Sequence, residues 1–252
     1  MVGFLLKKFF YDLWDNLFRI MALNLGFLLS LSLAFVLPPL IAGAVPAAVV
    51  FCLLAFWPFV YLCAASAALE EASDYRSLSL TDFAKNITAS LVPGAVLFVV
   101  SALVFVIIRF TIPFYLRFGT LLGTAAAFLC IWICLFAVGT LQFYPAVYRR
   151  LGRHPLISLK KCLFIFFDNT GFCMVSLLIN LVLTALIIPC PGWSLLFLDE
   201  GLRLRILKYD RPVPSKTEKN GGGRSFWDAI LAEEREKTGH RTWRDFLFPW
   251  RH

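Results

Sequence analysis

The chain has 252 residues, of which 60% are apolar, 16% aromatic and only 16% charged, against about 25% charged in an ordinary soluble domain. Its net charge of +8 is no argument for nucleic acid, because basic residues gather on the cytoplasmic loops of any membrane protein. Seven cysteines, at positions 52, 63, 130, 134, 162, 173 and 190, lie in or beside apolar stretches without CxxC or Cys/His spacing and read as buried thiols rather than metal ligands.

Taken in chain order, an amphipathic stretch at 4–13 leads through Trp14-Asp15-Asn16 into an apolar run at 17–37. Lys7, Lys8 and the small residues Ala42-Gly43-Ala44 resemble a signal peptide, but the polar triplet intervenes and the run is too long for an h-region. It is expected to stay as the first transmembrane helix. Further apolar runs follow at 41–68, 91–108, 119–147 and 171–188. Each is close to the roughly 20 residues that cross hydrocarbon as a helix, the one open-chain form that satisfies its own backbone there. A shorter sixth segment, 193–207, carries Asp199, Glu200, Arg203 and Arg205, and each charge at mid-bilayer costs about 2.5–3.5 kcal/mol on insertion scales.

Basic residues set the orientation, since they are retained on the cytoplasmic side. With the N-terminus inside, the first five connections place ten Lys and Arg inside and two, Arg109 and Arg117, outside. Everything from Arg203 onward adds twelve more, which five crossings would export and six would retain. The expected architecture is therefore all-α: a polytopic transmembrane helix bundle of five clear spans plus a short sixth or re-entrant helix, with both termini cytoplasmic in a bacterial inner membrane. Segment 193–207 is expected either to return as a short tilted helix after a turn at Pro189-Cys190-Pro191-Gly192 or to re-enter. Lying at the interface, it would leave its charges wet.

A repeat organises the transmembrane domain, residues 1–209. Trp14-Asp15-Asn16 opens the first span and Phe167-Asp168-Asn169 the fifth, while Asp82 and Asn86 precede the third. Each follows an amphipathic stretch (4–13, 78–84, 155–166), so three interfacial elbows feed spans, with Asn16, Asn86 and Asn169 placed to accept from the N–H groups of a starting helix. Asp15-Asn16-Leu17-Phe18-Arg19, Leu80-Thr81-Asp82-Phe83 with Asn86, and Ser158-Leu159-Lys160-Lys161 through Asp168-Asn169 resemble the YesL-like family of bacterial membrane proteins over residues 8–209. Members of that family are often encoded beside carbohydrate uptake systems, and the resemblance implies an accessory role there. The charged sixth segment and the long tail depart from the family pattern.

Beyond a flexible linker at 210–224, rich in Pro, Gly and charge, lies a basic-aromatic tail, 225–252. Ser225-Phe226-Trp227-Asp228 has capping-box spacing and opens a helix to Lys237, and Thr242-Trp243-Arg244-Asp245 repeats the signal before Phe246 to Trp250. Trp227, Trp243, Phe246 and Trp250 beside arginines suit either a lipid headgroup layer or a protein surface, including the chain's own loops.

Function is narrowed by absence of motifs. No HExxH, GxSxG, phosphate loop or clustered carboxylate pair occurs, and the histidines are confined to 154, 240 and 252, so neither enzyme chemistry nor a cofactor or metal is expected. The first five runs carry no central ionisable residue; Asn24, Gln142 and Asn180 are their polar groups, suited to hydrogen bonds between helices. Asp199, Glu200 and Arg203 complete the intramembrane polar candidates. The expectation is a non-catalytic membrane accessory or assembly protein, possible partners being lipid and a protein held at loops 69–90 and 148–170 and the tail. The alternative is a permease-like transporter subunit: Glu71, Ala72 and Ile87 match offsets of the importer loop signature, while Ser77 and Ala89-Ser90 break it.

Overall fold

A computed structural model describes residues 2–76, 80–152, 154–187, 191–210 and 222–238, and all regular structure among them is helical. Four helical stretches are long and apolar enough to cross a membrane: Leu17–Leu40, Ala44–Ser73, Thr88–Arg117 and Leu121–Arg150. A fifth candidate is bent, its halves Pro155–Asp168 and Thr170–Leu183 meeting at 103°. The protein is an all-helical membrane protein.

The first span holds α2 (Leu17–Val36), preceded by α1 (Val2–Asp15) and separated from it by Asn16. The second is α3 (Ala44–Ser73), which carries Pro58 in its interior. After α4 (Leu80–Asn86), the third span is α5 (Leu91–Val106), a π turn at Ile107–Thr111 and α6 (Ile112–Arg117). Arg109 and Arg117, expected on a loop, are thus helical. The reason lies in Pro113, whose ring crowds the carbonyl four residues back and whose missing N–H is absorbed by the wider turn. Thirty residues make this span about 45 Å long, longer than a hydrocarbon core of about 30 Å, so its charged end has room to reach headgroups.

The fourth span joins α7 (Leu121–Leu141) to α8 (Tyr144–Arg150); α9 (Pro155–Asp168) and α10 (Thr170–Ile187) follow around Asn169. Next, α11 (Pro191–Asp210) has neighbours on every side: α1, α2, α3, α8, α10 and α12 (Gly222–Thr238). Leu195 through Leu202 form an unbroken buried run. The turn ahead of it falls partly on residues outside those described, but Gly192 is already helical, and its N–H donates to Asn24 Oδ1 at 2.8 Å. Close packing elsewhere also uses glycine. A Cβ on Gly94 of α5 would meet the Val60 backbone of α3 at 2.8 Å, the small-residue contact that lets membrane helices approach.

Two helices show their apolar side outward. On α1, Leu5, Lys8, Phe9 and Asp12 are buried while Leu6, Phe10 and Trp14 are exposed. On α9, Leu156, Ile157, Leu163, Phe164 and Phe167 form an exposed stripe, and Ser158, Cys162, Ile165 and Phe166 face the bundle. An outward apolar stripe with a buried polar residue inverts the soluble pattern and suits a lipid neighbour.

The asparagines at the helix breaks do not cap as expected. Asn16 makes no side-chain cap bond and its amide donates to the Asp12 carbonyl at 3.1 Å. Asn86 likewise donates to the Asp82 carbonyl at 2.7 Å, and Asn169 donates to Asp168 and to the Tyr209 hydroxyl at 2.8 Å. In each case the amide N–H₂ reaches a nearby oxygen acceptor, so the N–H groups of the next helix are left to its own backbone: Ile20 and Cys173 donate to the carbonyls of Asn16 and Asn169.

The tail helix starts at Gly222, three residues before the expected cap, so Ser225 and Asp228 fall inside it. Trp243, Phe246 and Trp250 lie outside the described residues.

Candidate functional site

At one end of the bundle the ionisable residues of five helices meet in a buried layer. From α8, the Arg150 guanidinium donates to both carboxylate oxygens of Asp199 on α11, at 2.8 and 2.6 Å, and to the Ser73 hydroxyl at 2.5 Å. Asp74, beyond the end of α3, joins the same guanidinium at 3.2 Å and forms an ion pair with Arg203, whose Nε lies 2.9 Å away. The adjacent Arg149 lies 3.4 Å from Glu70 and donates to Asn86 Oδ1 at 3.2 Å. On α1, Lys8 binds Asp12 and the Ser73 carbonyl, the latter at 3.0 Å, and lies 3.7 Å from Glu200. Asp199 is 0% and Glu200 1% exposed. They are buried, and the wet interfacial arrangement is not the one observed.

Such charges persist out of water only when paired and hydrogen-bonded. Asp199 meets that condition with a two-pronged guanidinium, the strongest geometry available to a carboxylate. Glu200 does not, since neither of its oxygens accepts a hydrogen bond from a conventional donor among the described residues. Instead its carboxyl faces Asp12, an arrangement that becomes a hydrogen bond when one of the two holds a proton. Burial pushes Glu200 well above the usual carboxylate range against the opposing pull of Lys8, and the Asp12 carboxylate pushes it further. Burial also raises Asp12, with Lys8 again opposing. Both shifts favour the protonated acid beside a lysine.

Tyr75 sits over this layer in a strained conformation. Helix α3 ends in a Schellman turn, with Arg76 N–H donating to the Glu71 carbonyl at 2.9 Å and Tyr75 N–H to Ala72 at 3.2 Å. Tyr75 occupies the left-handed position at φ 61°, where glycine is usual and a side chain costs about 1–2 kcal/mol. Its surroundings offset that cost. Lys8 Nζ lies 4.4 Å and the Arg203 guanidinium 5.0 Å from the ring centre, each contact contributing about 0.5–2 kcal/mol. The hydroxyl donates to Glu234 Oε2 at 2.9 Å.

Glu234 belongs to α12, and through it the tail helix is fastened to the bundle. Arg203 donates to its two oxygens at 2.6 and 3.2 Å, and Lys237 lies 3.3 Å away. Burial favours the neutral acid, but Arg203 outweighs it and holds Glu234 below the usual carboxylate range. One turn and more away, Ile230 and Leu231 are buried, and Trp227 covers the Arg205 guanidinium at 5.0 Å, which stacks at 4.7 Å on Phe172 from its other contact.

The remaining polar candidates form a separate rung deeper in the bundle. Gln142 donates to the carbonyls of Gly139 and Cys173, both at 2.9 Å, and accepts from Asn180 at 3.3 Å; Asn180 in turn accepts from Ser194 at 2.8 Å. Asn24 holds the first turn of α11. All three join helices, and Asp82 pairs with Lys85 on the outside of α4 at 3.2 Å. Among the described residues no three His, Cys, Asp or Glu side chains gather as a metal site requires.

Sequence reasoning missed Lys8, Asp12, Ser73, Asp74, Tyr75, Arg150 and Glu234. Lys8 and Arg150 were absorbed into the count of basic residues that orients the chain. A usable signal existed on α1, where Leu5, Lys8, Phe9 and Asp12 recur at i, i+3, i+4 and i+7, placing a charge pair on the same face as apolar anchors. Comparison of the chain with protein-family models, with curated proteins and with solved structures finds no match.

Proposed function

We propose that the protein is a non-catalytic accessory or assembly protein of a bacterial cytoplasmic membrane, whose ionic layer and surrounding elbows face the cytoplasm and hold a partner protein there. The carrying observation is α12: a helix separated from the bundle by a linker is bound to it through Glu234 on Arg203 and Tyr75. A surface that binds an amphipathic helix by a buried acid, two apolar residues and an indole is a docking surface in kind. The YesL-like resemblance adds the expectation that the partner serves solute uptake.

Placement of the layer on the cytoplasmic side rests on charge. Arg149, Arg150, Lys160, Lys161 and Lys208 cluster around that end, as retention of basic residues requires. Helix α11 then reads as the returning arm of a re-entrant hairpin. Its first turn is held by Asn24, seven residues into α2, about 10 Å from the end of that span, and its middle turns, with Asp199, Glu200 and Arg203, lie in the layer. It begins part-way through the bilayer and emerges on the side from which α10 entered, which keeps Glu200 outside the spans and the basic tail inside.

Affinity purification in mild detergent tests the reading, using the full chain and one ending at Arg211. A defined partner that binds differently to the two supports it. Recovery of nothing from either, with purified protein moving a sugar into liposomes, overturns it in favour of a permease-like subunit. Labelling of single cysteines introduced at positions 38, 117 and 222 tests the placement, and an externally labelled site at 222 refutes it.

A further inference from the structure

Above the ionic layer the bundle is not filled. A cavity of 430 Å³ opens among α2, α3, α5, α7, α10 and α11, with Phe27, Phe59, Leu97, Val138 and Leu177 on its wall. That volume lies in the range of roughly 300–1,000 Å³ typical of ligand sites. Pro145 and Leu198 also line it, the second being next in sequence to Asp199 of the ionic layer. It is open rather than enclosed. Helix α7 packs on the π turn and α6, the far half of the third span, and only lightly on α5. The two consecutive spans diverge where Leu97 and Val138 line the wall, and in a bilayer a slot between spans admits lipid.

Polar groups enter the wall at one place. Gln142, Asn180 and Ser194 all line it, and Ser101 of α5 adds a hydroxyl. The amides are largely engaged with each other, as the rung of hydrogen bonds described above shows. Among the described residues Asn180 keeps one amide N–H and Ser194 its lone pairs, since a carboxamide has two donors and a hydroxyl accepts twice. This arrangement can greet one or two polar atoms of a guest. A carbohydrate would bring many hydroxyls into it, each left without a partner at about 1–3 kcal/mol.

We infer that the cavity is a binding site for a single long acyl chain, which enters from the bilayer between α5 and α7 and sets its ester or carboxyl oxygen to accept from the remaining Asn180 amide N–H. The inference is independent of the accessory role, since it concerns the interior and not the docking face. It also assigns the cavity to lipid rather than to carbohydrate cargo.

Photo-crosslinking on the full chain in detergent micelles tests this. Two probes carry a diazirine on a sixteen-carbon chain, one a free fatty acid and the other phosphatidylglycerol. Peptide mapping should find adducts concentrated on Leu97, Ser101, Val138 and Leu177, and a tenfold excess of the unlabelled probe should reduce them at least fivefold. Adducts on Phe128 and Ile131, which face outward on α7, should not respond to competitor. Whichever probe labels the cavity at the lower concentration identifies the natural form of the chain. Ser101→Phe and Leu177→Trp, which fill the space, should abolish the competable fraction, and Asn180→Leu should weaken competition by the fatty acid. The wild-type competition stands without any variant. Adducts spread evenly over lipid-facing residues and indifferent to competitor, or a competable fraction unchanged in a folded Leu177→Trp protein, would overturn the inference.

Discussion

Asp199 and Glu200 are neighbours in sequence, equally buried, and should respond oppositely to loss of charge. Asp199→Asn removes half of a two-pronged pair and strands the Arg150 guanidinium, whose side chain is 10% exposed. Breaking a buried pair on one side costs about 3–5 kcal/mol. Arg150 retains Asp74 at 3.2 Å, which is partly exposed and so a weaker partner, and this places the expectation near 3 kcal/mol. For a chain of this size that corresponds to a fall in midpoint of roughly 6–12 °C. Glu200→Gln keeps the shape and supplies an N–H₂ that donates to Asp12 without a proton to borrow, so its cost should be near zero or negative. The comparison is read by fluorescence-detected gel filtration after heating in detergent. Arg150→Met in the Asp199→Leu background should recover much of the loss, because a dry apolar pair escapes the desolvation that each single change exposes. Equal destabilisation by Asp199→Asn and Glu200→Gln would refute the division of roles, since both would then be serving as charged partners.

Other outcomes follow from the same contacts. Glu200 and Asp12 bind a proton more tightly in the folded chain than in the unfolded one, because burial raises both. Their contribution is therefore full below the ordinary carboxylate range and declines as pH rises above it. The midpoint of Glu200→Gln relative to wild type should accordingly grow from pH 5 to pH 8, and a constant gap would count against the shared proton. Glu234→Gln leaves Arg203 and Tyr75 without their acid, at about 2 kcal/mol or more. Trypsin should then cut at Arg235 and Lys237 at least about tenfold faster than in wild type, while the spans stay resistant; an unchanged rate would mean α12 is held by its apolar residues alone. Gly94→Ala places a methyl 2.8 Å from the Val60 backbone, which cannot swing aside, and should cost about 1–3 kcal/mol. Gly171→Ala, with open space around it, is the neutral control in the same thermal assay.

Much of the fold was legible because bilayer physics writes long signals. Leu17–Leu40 and Leu121–Arg150 emerge from apolar run length alone, and the breaks at Asn16 and Asn169 were visible as polar triplets between an amphipathic stretch and a run. Legibility failed where a local rule was overruled by a neighbour. Arg109 marks a loop by charge, yet it lies within a helix that Pro113 widens rather than ends. The asparagines have the right identity for caps, but each turns its amide N–H₂ to a nearby oxygen instead.

The ionic layer was hidden for a different reason. Segment 193–207 carries both apolar and charged residues around its whole circumference, so no stripe points to a face. For a helix on a surface that pattern means that charges are wet. It means something else for α11, which has neighbours on every side and therefore no solvent face to which a charge could retreat. Three of its charges are met by residues far away in sequence, Asp199 by Arg150, Glu200 by Lys8, and Arg203 by Asp74 and Glu234, while Arg205 lies against the rings of Phe172 and Trp227. None of those partners is exceptional on its own segment. Their coincidence is a property of packing, and once α11 is central it becomes obligatory, because an unpaired charge there would cost more than the bundle's other contacts could offset. The same logic makes Tyr75 intelligible: glycine would relax the turn, but only a ring can stand between two cations that burial has brought together.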